Sequence, residues 1–244
     1  MSDYLFISDL HLSTERPEII DLFLKFMDEI APSTKNLYIL GDFLEYWIGD
    51  DMDRQVQGTP IADVFLSLKL LQDKGTDVFF MHGNRDFLVG QTLADKYRFK
   101  IIDDPATIAI DNTRVLLMHG DTLCTDDLEY QNYRTMVRDE DWKNAFISKP
   151  IEEREQIAKE LRKKSKDAIA EKDAEIMDVN NEAVITTMMQ HDVETLIHGH
   201  THRPAIHNFE HQGKQLKRIV LADWYSSGSY LEITDGDFDI CEFH

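Results

Sequence analysis

LYILGDF, residues 37–43, runs through four consecutive apolar residues and then breaks at Gly41-Asp42. So short an apolar run, stopped by a turn pair, reads as a buried strand. Upstream, PEIIDLFLKFMDEIA (17–31) spaces apolar residues at helical intervals behind a leading proline, which predicts an amphipathic helix. YLFIS (4–8) is another apolar run with a polar stop. Downstream, IADVFLSLKLLQDKG (61–75) predicts a second helix stopped by glycine, and DVFFM (77–81) a third strand ending in HGNRD. This β-α-β-α-β alternation predicts parallel strands with helices packed on them. Farther on, ATIAI (106–110) and RVLLM (114–118) flank a tight turn, and ETLIH (194–198) is again a strand. AIHNFEH–QGK–QLKRIVLA and SYLEIT–DGD–FDICEF read as hairpins. From 126 to 191 the pattern changes to a long, highly charged helical region. The expected fold class is α/β (α+β): one sandwich core, 1–125 plus 192–244, flanked by helices and interrupted by a helical insertion, 126–191.

The chain has 244 residues, 42% of them hydrophobic and 30% charged, as expected of a globular protein with a real core. No apolar run approaches the length needed to cross a bilayer. The N-terminus, MSDYLFISDLHLS, has no basic start and reads as a first strand rather than a signal peptide. With only two cysteines, Cys124 and Cys241, a reducing cytoplasm is the expected location. The formal net charge of -20 disfavours nucleic-acid binding and simple electrostatic adhesion to an anionic membrane. KELRKKSK (159–166) is a basic island in this acidic chain; on charge alone it reads as a solvated helix face.

Five short segments share one chemistry. Asp9 and His11 (SDLHL), Asp42 (LGDF), Asn84 (HGNRD), His119 (MHGD), and His200 with His202 (GHTH) each follow an apolar strand. Ligands of open α/β sheets bind at the carboxyl ends of strands, so these segments are expected to converge on one rim. Two aspartates, one asparagine and four histidines form a nitrogen-and-oxygen donor set without thiolate, which suits Mn, Fe or Zn. In extended backbone, residues i and i+2 point the same way, so Asp-x-His and His-x-His each aim two donors at one centre. Seven ligands suit two metals sharing a bridge, with Asp42 the candidate bridge. Such a pair clamps a phosphate and lowers the pKa of water. Each segment is weak by itself; their joint occurrence is strong.

D-x-H, GD, GN-[HR]-[DE], an isolated H-G and GHxH resemble the calcineurin-like metallophosphoesterase superfamily. The resemblance implies one metal on Asp9, His11, Asp42 and His202 and another on Asp42, Asn84, His119 and His200, with His198 a structural bystander. Many members carry a histidine after the asparagine; here it is Arg85, which stays protonated and is a poor proton donor. It suits a leaving group that departs as a stable anion, such as one released from a pyrophosphate. LGDFLEYWIGDD (40–51), HGNRDFLVG (82–90), HGDTLCTDD (119–127), IMDVN (176–180) and HGHTHRPAIH (198–207) resemble the UDP-2,3-diacylglucosamine pyrophosphohydrolase family of lipid A synthesis, over almost the whole chain.

That resemblance implies hydrolysis of UDP-2,3-diacylglucosamine by water attack on the α-phosphorus, giving UMP and 2,3-diacylglucosamine 1-phosphate. It implies two Mn2+ ions per chain, catalytic roles for Asp42, Arg85 and His200, and a helical lid sheltering acyl chains. Asn84, Arg85, Asp127, Ser165, Ile169, Lys172 and His200 are the expected substrate contacts; where family members can have asparagine, Ile169 offers only backbone. Ser165 and Lys172 fall in or beside the basic island and give it a role. The lipid substrate implies a peripheral position on the cytoplasmic face of the inner membrane, and no obligate protein partner is expected. Trp142 and Phe146 are i,i+4 partners that suit either core packing or acyl contact. Cys124 reads as a packing residue, and Asp86 and Asp121 are expected to orient ligand histidines or Arg85. The rival readings are a hydrolase of soluble nucleotide diphosphates and a non-catalytic interaction module on the same fold.

Overall fold

The computed structural model describes residues 3–111, 113–171 and 176–244, the stretch 164–171 by its backbone alone. The elements run β1 (Tyr4–Ile7), α1 (Pro17–Glu29), β2 (Asn36–Leu40), α2 (Asp53–Val56), α3 (Pro60–Asp73), β3 (Asp77–Met81), α4 (Gln91–Tyr97), β4 (Lys100–Ile102), β5 (Ala106–Ile110) and β6 (Thr113–Met118). The expected helical region then supplies α5 (Leu128–Arg138), α6 (Glu140–Ile147), α7 (Ile151–Glu171) and α8 (Asn181–Gln190). The chain ends with β7 (Thr195–His198), β8 (Ala205–His211), β9 (Lys214–Val220), β10 (Gly228–Thr234) and β11 (Asp237–Phe243).

Two sheets form, in the orders β11-β10-β1-β2-β3-β4 and β5-β6-β7-β9-β8. β1, β2, β3 and β4 pair in parallel, as the alternation predicts, and β6, β7 and β9 do the same in the second sheet. The expected hairpins are β8/β9 and β10/β11. Strand alternation divides the core. Phe6, Tyr38, Leu40 and Met81 meet Val115, Leu117, Ile197 and Ile219 between the sheets. Leu5, Ile7, Leu37, Ile39, Val78 and Phe80 face the opposite way, against Phe23 and Phe26 of α1 and Val64 and Leu68 of α3. Each of these strands is thus covered on both faces, which explains its unbroken apolar run.

The structure adds β4 and α4, which the sequence did not reveal. β4 has three residues and α4 seven, too short for a periodic pattern, and α4 stops where Arg98 turns left-handed at φ 65°. The helices expected over 17–31 and 61–75 stop at Glu29 and Asp73.

A buried cation ties the inserted helices to the core. Arg154 of α7 is 1% exposed. It donates to the Ile48 carbonyl and pairs with Asp51, both in the loop after β2. Gly49 lies beneath it at φ 128°, and a Cβ there would come 2.5 Å from the guanidinium. Arg138 of α5 donates to the Gly83 carbonyl at 2.8 Å, next to Asn84.

Candidate dinuclear metal centre

Parallel register sets the strand ends level. Ile7 lies opposite Ile39, Leu40 opposite Met81, and Met118 opposite His198. The loops that follow bond to each other: Asp9 N–H donates to Gly41 O, His11 N–H to Asp42 O, and Gly199 N–H to His119 O, at 3.1, 2.9 and 2.9 Å. Asp9, His11, Asp42, His200 and His202 take positive φ values of 57°, 49°, 50°, 69° and 54°. Left-handed backbone costs a non-glycine residue about 1–2 kcal/mol, and five such residues in one cluster mark strain held by the surrounding structure. Two glycines permit the close approach. A Cβ on Gly83 would sit 2.1 Å from Asp42 N, and one on Gly199 2.2 Å from Ser8 Oγ.

All seven expected ligands come together. Donor atoms of Asp9, His11 and His202 lie within 4.8 Å of one another, as do those of Asp9, Asp42 and His119. Asp42 spans the two groups: Oδ2 is 3.9 Å from His11 Nε2, and Oδ1 is 3.7 Å from His119 Nε2. Asn84 Oδ1 sits 3.1 Å from His119 Nε2 and 3.0 Å from His200 Nδ1. Asp9 Oδ2 accepts from Ser8 Oγ and His200 N–H, whereas the buried Asp9 Oδ1 has only the longer approach of His202 Nε2, at 3.4 Å. A buried carboxylate oxygen without a close donor, facing imidazoles, fits a bound cation. The charges agree. Burial alone would raise the Asp9 carboxyl, but His202 and His119 hold it well below the usual carboxylate range. Burial alone would lower His119, but Asp42, Asp121 and Asp9 raise it to about 9. Burial and the charge of His119 push His200 down to about 4.

Groups behind the donors fix the rings. His119 Nδ1 donates to Leu40 O at 2.9 Å, leaving Nε2 for the centre. His11 Nδ1 faces Glu45 Oε2 at 3.4 Å, and His202 Nδ1 faces Asp223 Oδ2 at 3.3 Å. Sequence reading missed Glu45 and Asp223. It named Asp86 and Asp121 instead, and the structure corrects both. Asp86 accepts from the backbone amides of Phe43, Leu44 and Gly83, and so shapes the loops rather than a histidine or Arg85. Asp121 binds Tyr130 Oη and Arg134 Nε through Oδ2 and acts on His119 and His200 by its charge rather than by holding either ring. His198 is fully buried, its Nδ1 donating to Gly199 O, and burial pushes it down to about 3. Cys124 is buried, and burial followed by Asp121 pushes its thiol up to about 12, as suits a packing residue.

Above the donors opens a cavity of about 520 Å³ lined by His11, Asp42, Asn84, Arg85, Asp127, Tyr133, Leu161 and His200, among others. Arg85 Nε is buried there without a partner. Asp127 lines the wall while capping α5 through Tyr130 N. Beside it lies a smaller, mostly apolar pocket that shares Asn84, Arg85, Tyr130, Tyr133 and Leu161 and adds Phe87, Leu88, Trp142, Phe146 and Ala158. Trp142 and Phe146 stack at 5.0 Å and pack against the core as well as lining this pocket. Ser165 and Ile169 fall where α7 is described by its backbone alone, and Lys172 lies outside the described residues.

Residues 3–204 match the calcineurin-like phosphoesterase family. The chain is 48% identical to the UDP-2,3-diacylglucosamine hydrolase of Aromatoleum aromaticum, over 93% of this chain and 91% of that one. It is 47% identical to the enzyme of the same name from Chromohalobacter salexigens, over 90% and 88%. For that of Stenotrophomonas maltophilia the identity is 45% over 97% and 96%. The chain belongs to the calcineurin-like phosphoesterases, in the family of UDP-2,3-diacylglucosamine hydrolases. The α/β fold expected from the sequence is the fold of this family, and the chain is a hydrolase that uses divalent metal.

Proposed function

We propose that the protein hydrolyses the pyrophosphate bond of UDP-2,3-diacylglucosamine by water attack on the α-phosphorus, releasing UMP and 2,3-diacylglucosamine 1-phosphate. The observation that carries this reading is the joining of two unlike cavities at Arg85: one floored by the donor cluster, the other smaller, about 70 Å³, mostly apolar and partly walled by inserted helices. The substrate has the same two halves, a charged pyrophosphate and two acyl chains. The 43–48% identical relatives bearing that substrate in their names support it.

Two Mn2+ ions are the proposed cofactor, one on Asp9, His11, Asp42 and His202 and the other on Asp42, Asn84, His119 and His200. When bound, such a pair lowers the pKa of water and withdraws charge from phosphoryl oxygens. The chain's own groups do the rest. Arg85 lines the cavity with its Nε unpartnered, and a guanidinium is suited to forked hydrogen bonds with pyrophosphate oxygens. It neutralises the leaving phosphate without giving up a proton. His200 is held neutral by burial and lines the cavity beside Asn84. Tyr133 and Leu161 line both cavities, and in the mostly apolar one Trp142 and Phe146 would exclude water from an acyl chain.

Residues 126–191 act in this reading as a lid on the core 1–125 plus 192–244, with Ser165, Ile169, Lys172 and Asp127 contributing to substrate binding. No helix among the described residues is long and apolar enough to cross a membrane. The lipid substrate places the protein at the cytoplasmic face of the inner membrane as a peripheral protein. The test is hydrolysis in 18O-labelled water by manganese-loaded protein. Label in UMP and slow turnover of UDP-N-acetylglucosamine support the reading. Label in the sugar phosphate, or equal turnover of both substrates, contradicts it.

A further inference from the structure

One link between the inserted helices and the metal-ligand cluster runs through a carboxylate, Glu45. It stands in the loop after β2, its side chain 21% exposed, and its two oxygens face different parts of the molecule. Oε2 is 3.4 Å from His11 Nδ1. Oε1 accepts from Arg162 Nη2 on α7. Arg162 in turn lies over the Tyr46 ring, 5.7 Å from its centroid. The counterpart acid behind His202 is anchored differently: Asp223 Oδ1 accepts from the Tyr225 backbone amide at 3.1 Å, a bond made within its own loop. One ligand histidine is therefore backed by the core alone and the other by an acid shared with the insertion.

We propose that Glu45 is a positioning residue for His11, and that Arg162 sets the rotamer of Glu45, so that the seating of α7 tunes cation affinity at Asp9, His11 and His202. With Oε1 held by Arg162 and Oε2 lying 3.4 Å from the buried and otherwise unpartnered His11 Nδ1, Glu45 keeps the His11 ring turned so that Nε2 points at Asp42 and His202. Without Arg162, the Glu45 side chain is free to swing toward solvent and His11 loses its backing. Acids behind ligand histidines are worth about 10–100-fold in metal affinity. The inference rests on the proposed metal centre.

The test is equilibrium titration of the metal-free full chain with Mn2+, comparing wild type, Glu45→Gln, Arg162→Gln and the double variant, with melting curves to show that each folds. The expected result is two ions in the wild type and one of them weakened about 10–100-fold by Glu45→Gln. Arg162→Gln weakens that same ion by a smaller factor and adds nothing in the Glu45→Gln background. A wild type that binds no manganese overturns the metal centre and this inference together. A wild type with two ions and a Glu45→Gln variant of unchanged affinity overturns the inference alone. So does an Arg162→Gln effect of equal size in both backgrounds. Where Glu45→Gln does not fold, unchanged affinity in Arg162→Gln overturns it.

Discussion

Arg85 stands at the junction of the two cavities with its Nε unpartnered, so its replacement separates charge from geometry. Arg85→Lys keeps a cation but loses the planar fork. Its kcat/KM for UDP-2,3-diacylglucosamine is expected to fall about 100-fold, with manganese content unchanged; a fall of less than threefold in steady-state UMP release would remove Arg85 from the reaction. A second residue gives a pH signature. Both carboxyl oxygens of Asp104 are buried without a partner, and burial, then Asp121, raises the group to about 6. Its unfolded value is about 3.9. The folded chain therefore holds this proton more tightly than the unfolded one. The group disfavours folding least below the unfolded value, and stability falls as pH rises through about 6, by about 3 kcal/mol at most. Asp104→Asn is expected to melt above wild type at pH 8 and to converge with it near pH 4. An identical difference at both pH values would show that charge is not the cause.

Among the elements, α7 contributes Leu161 to the walls of both cavities, and its attachment to the core is specific. Arg154 is buried against Asp51 and the Ile48 carbonyl. Asp51→Ala leaves that guanidinium half-satisfied, at a cost of about 2 kcal/mol. The expected outcome is a lower melting temperature, faster proteolytic nicking in 151–171 and a raised KM with little change in kcat. Unaltered proteolysis would mean that the inserted helices are held by other contacts. Much of the architecture was legible because buried parallel strands write unbroken apolar runs, such as YLFI and LYIL. The ligands were legible because each closes one of those runs. β4 and α4 were not, being shorter than a pattern. Glu45 and Asp223 were not, because they reach His11 and His202 only where several loops cross in left-handed backbone. Asp86 and Asp121 looked like histidine partners by proximity in sequence, yet the Asp86 oxygens are taken by backbone amides and Asp121 Oδ2 by Tyr130 and Arg134.

For the molecule as a whole, a formal charge of -20 and two carboxylates buried at the donor cluster make bound cations a stabilising element. At free manganese one hundred times its Kd, binding contributes about 3 kcal/mol to folding, or about 5–10 °C in melting temperature for a chain of this size. Chelation is expected to remove that increment and the activity together, and manganese to restore both; a melting temperature indifferent to chelator would speak against a loaded centre. The most direct measurement is anomalous diffraction at the manganese edge from crystals of the loaded protein. Two peaks flanking Asp42, one beside His11 and His202 and the other beside Asn84 and His119, are expected. A single peak, or none within reach of Asp42, would contradict a dinuclear hydrolytic centre.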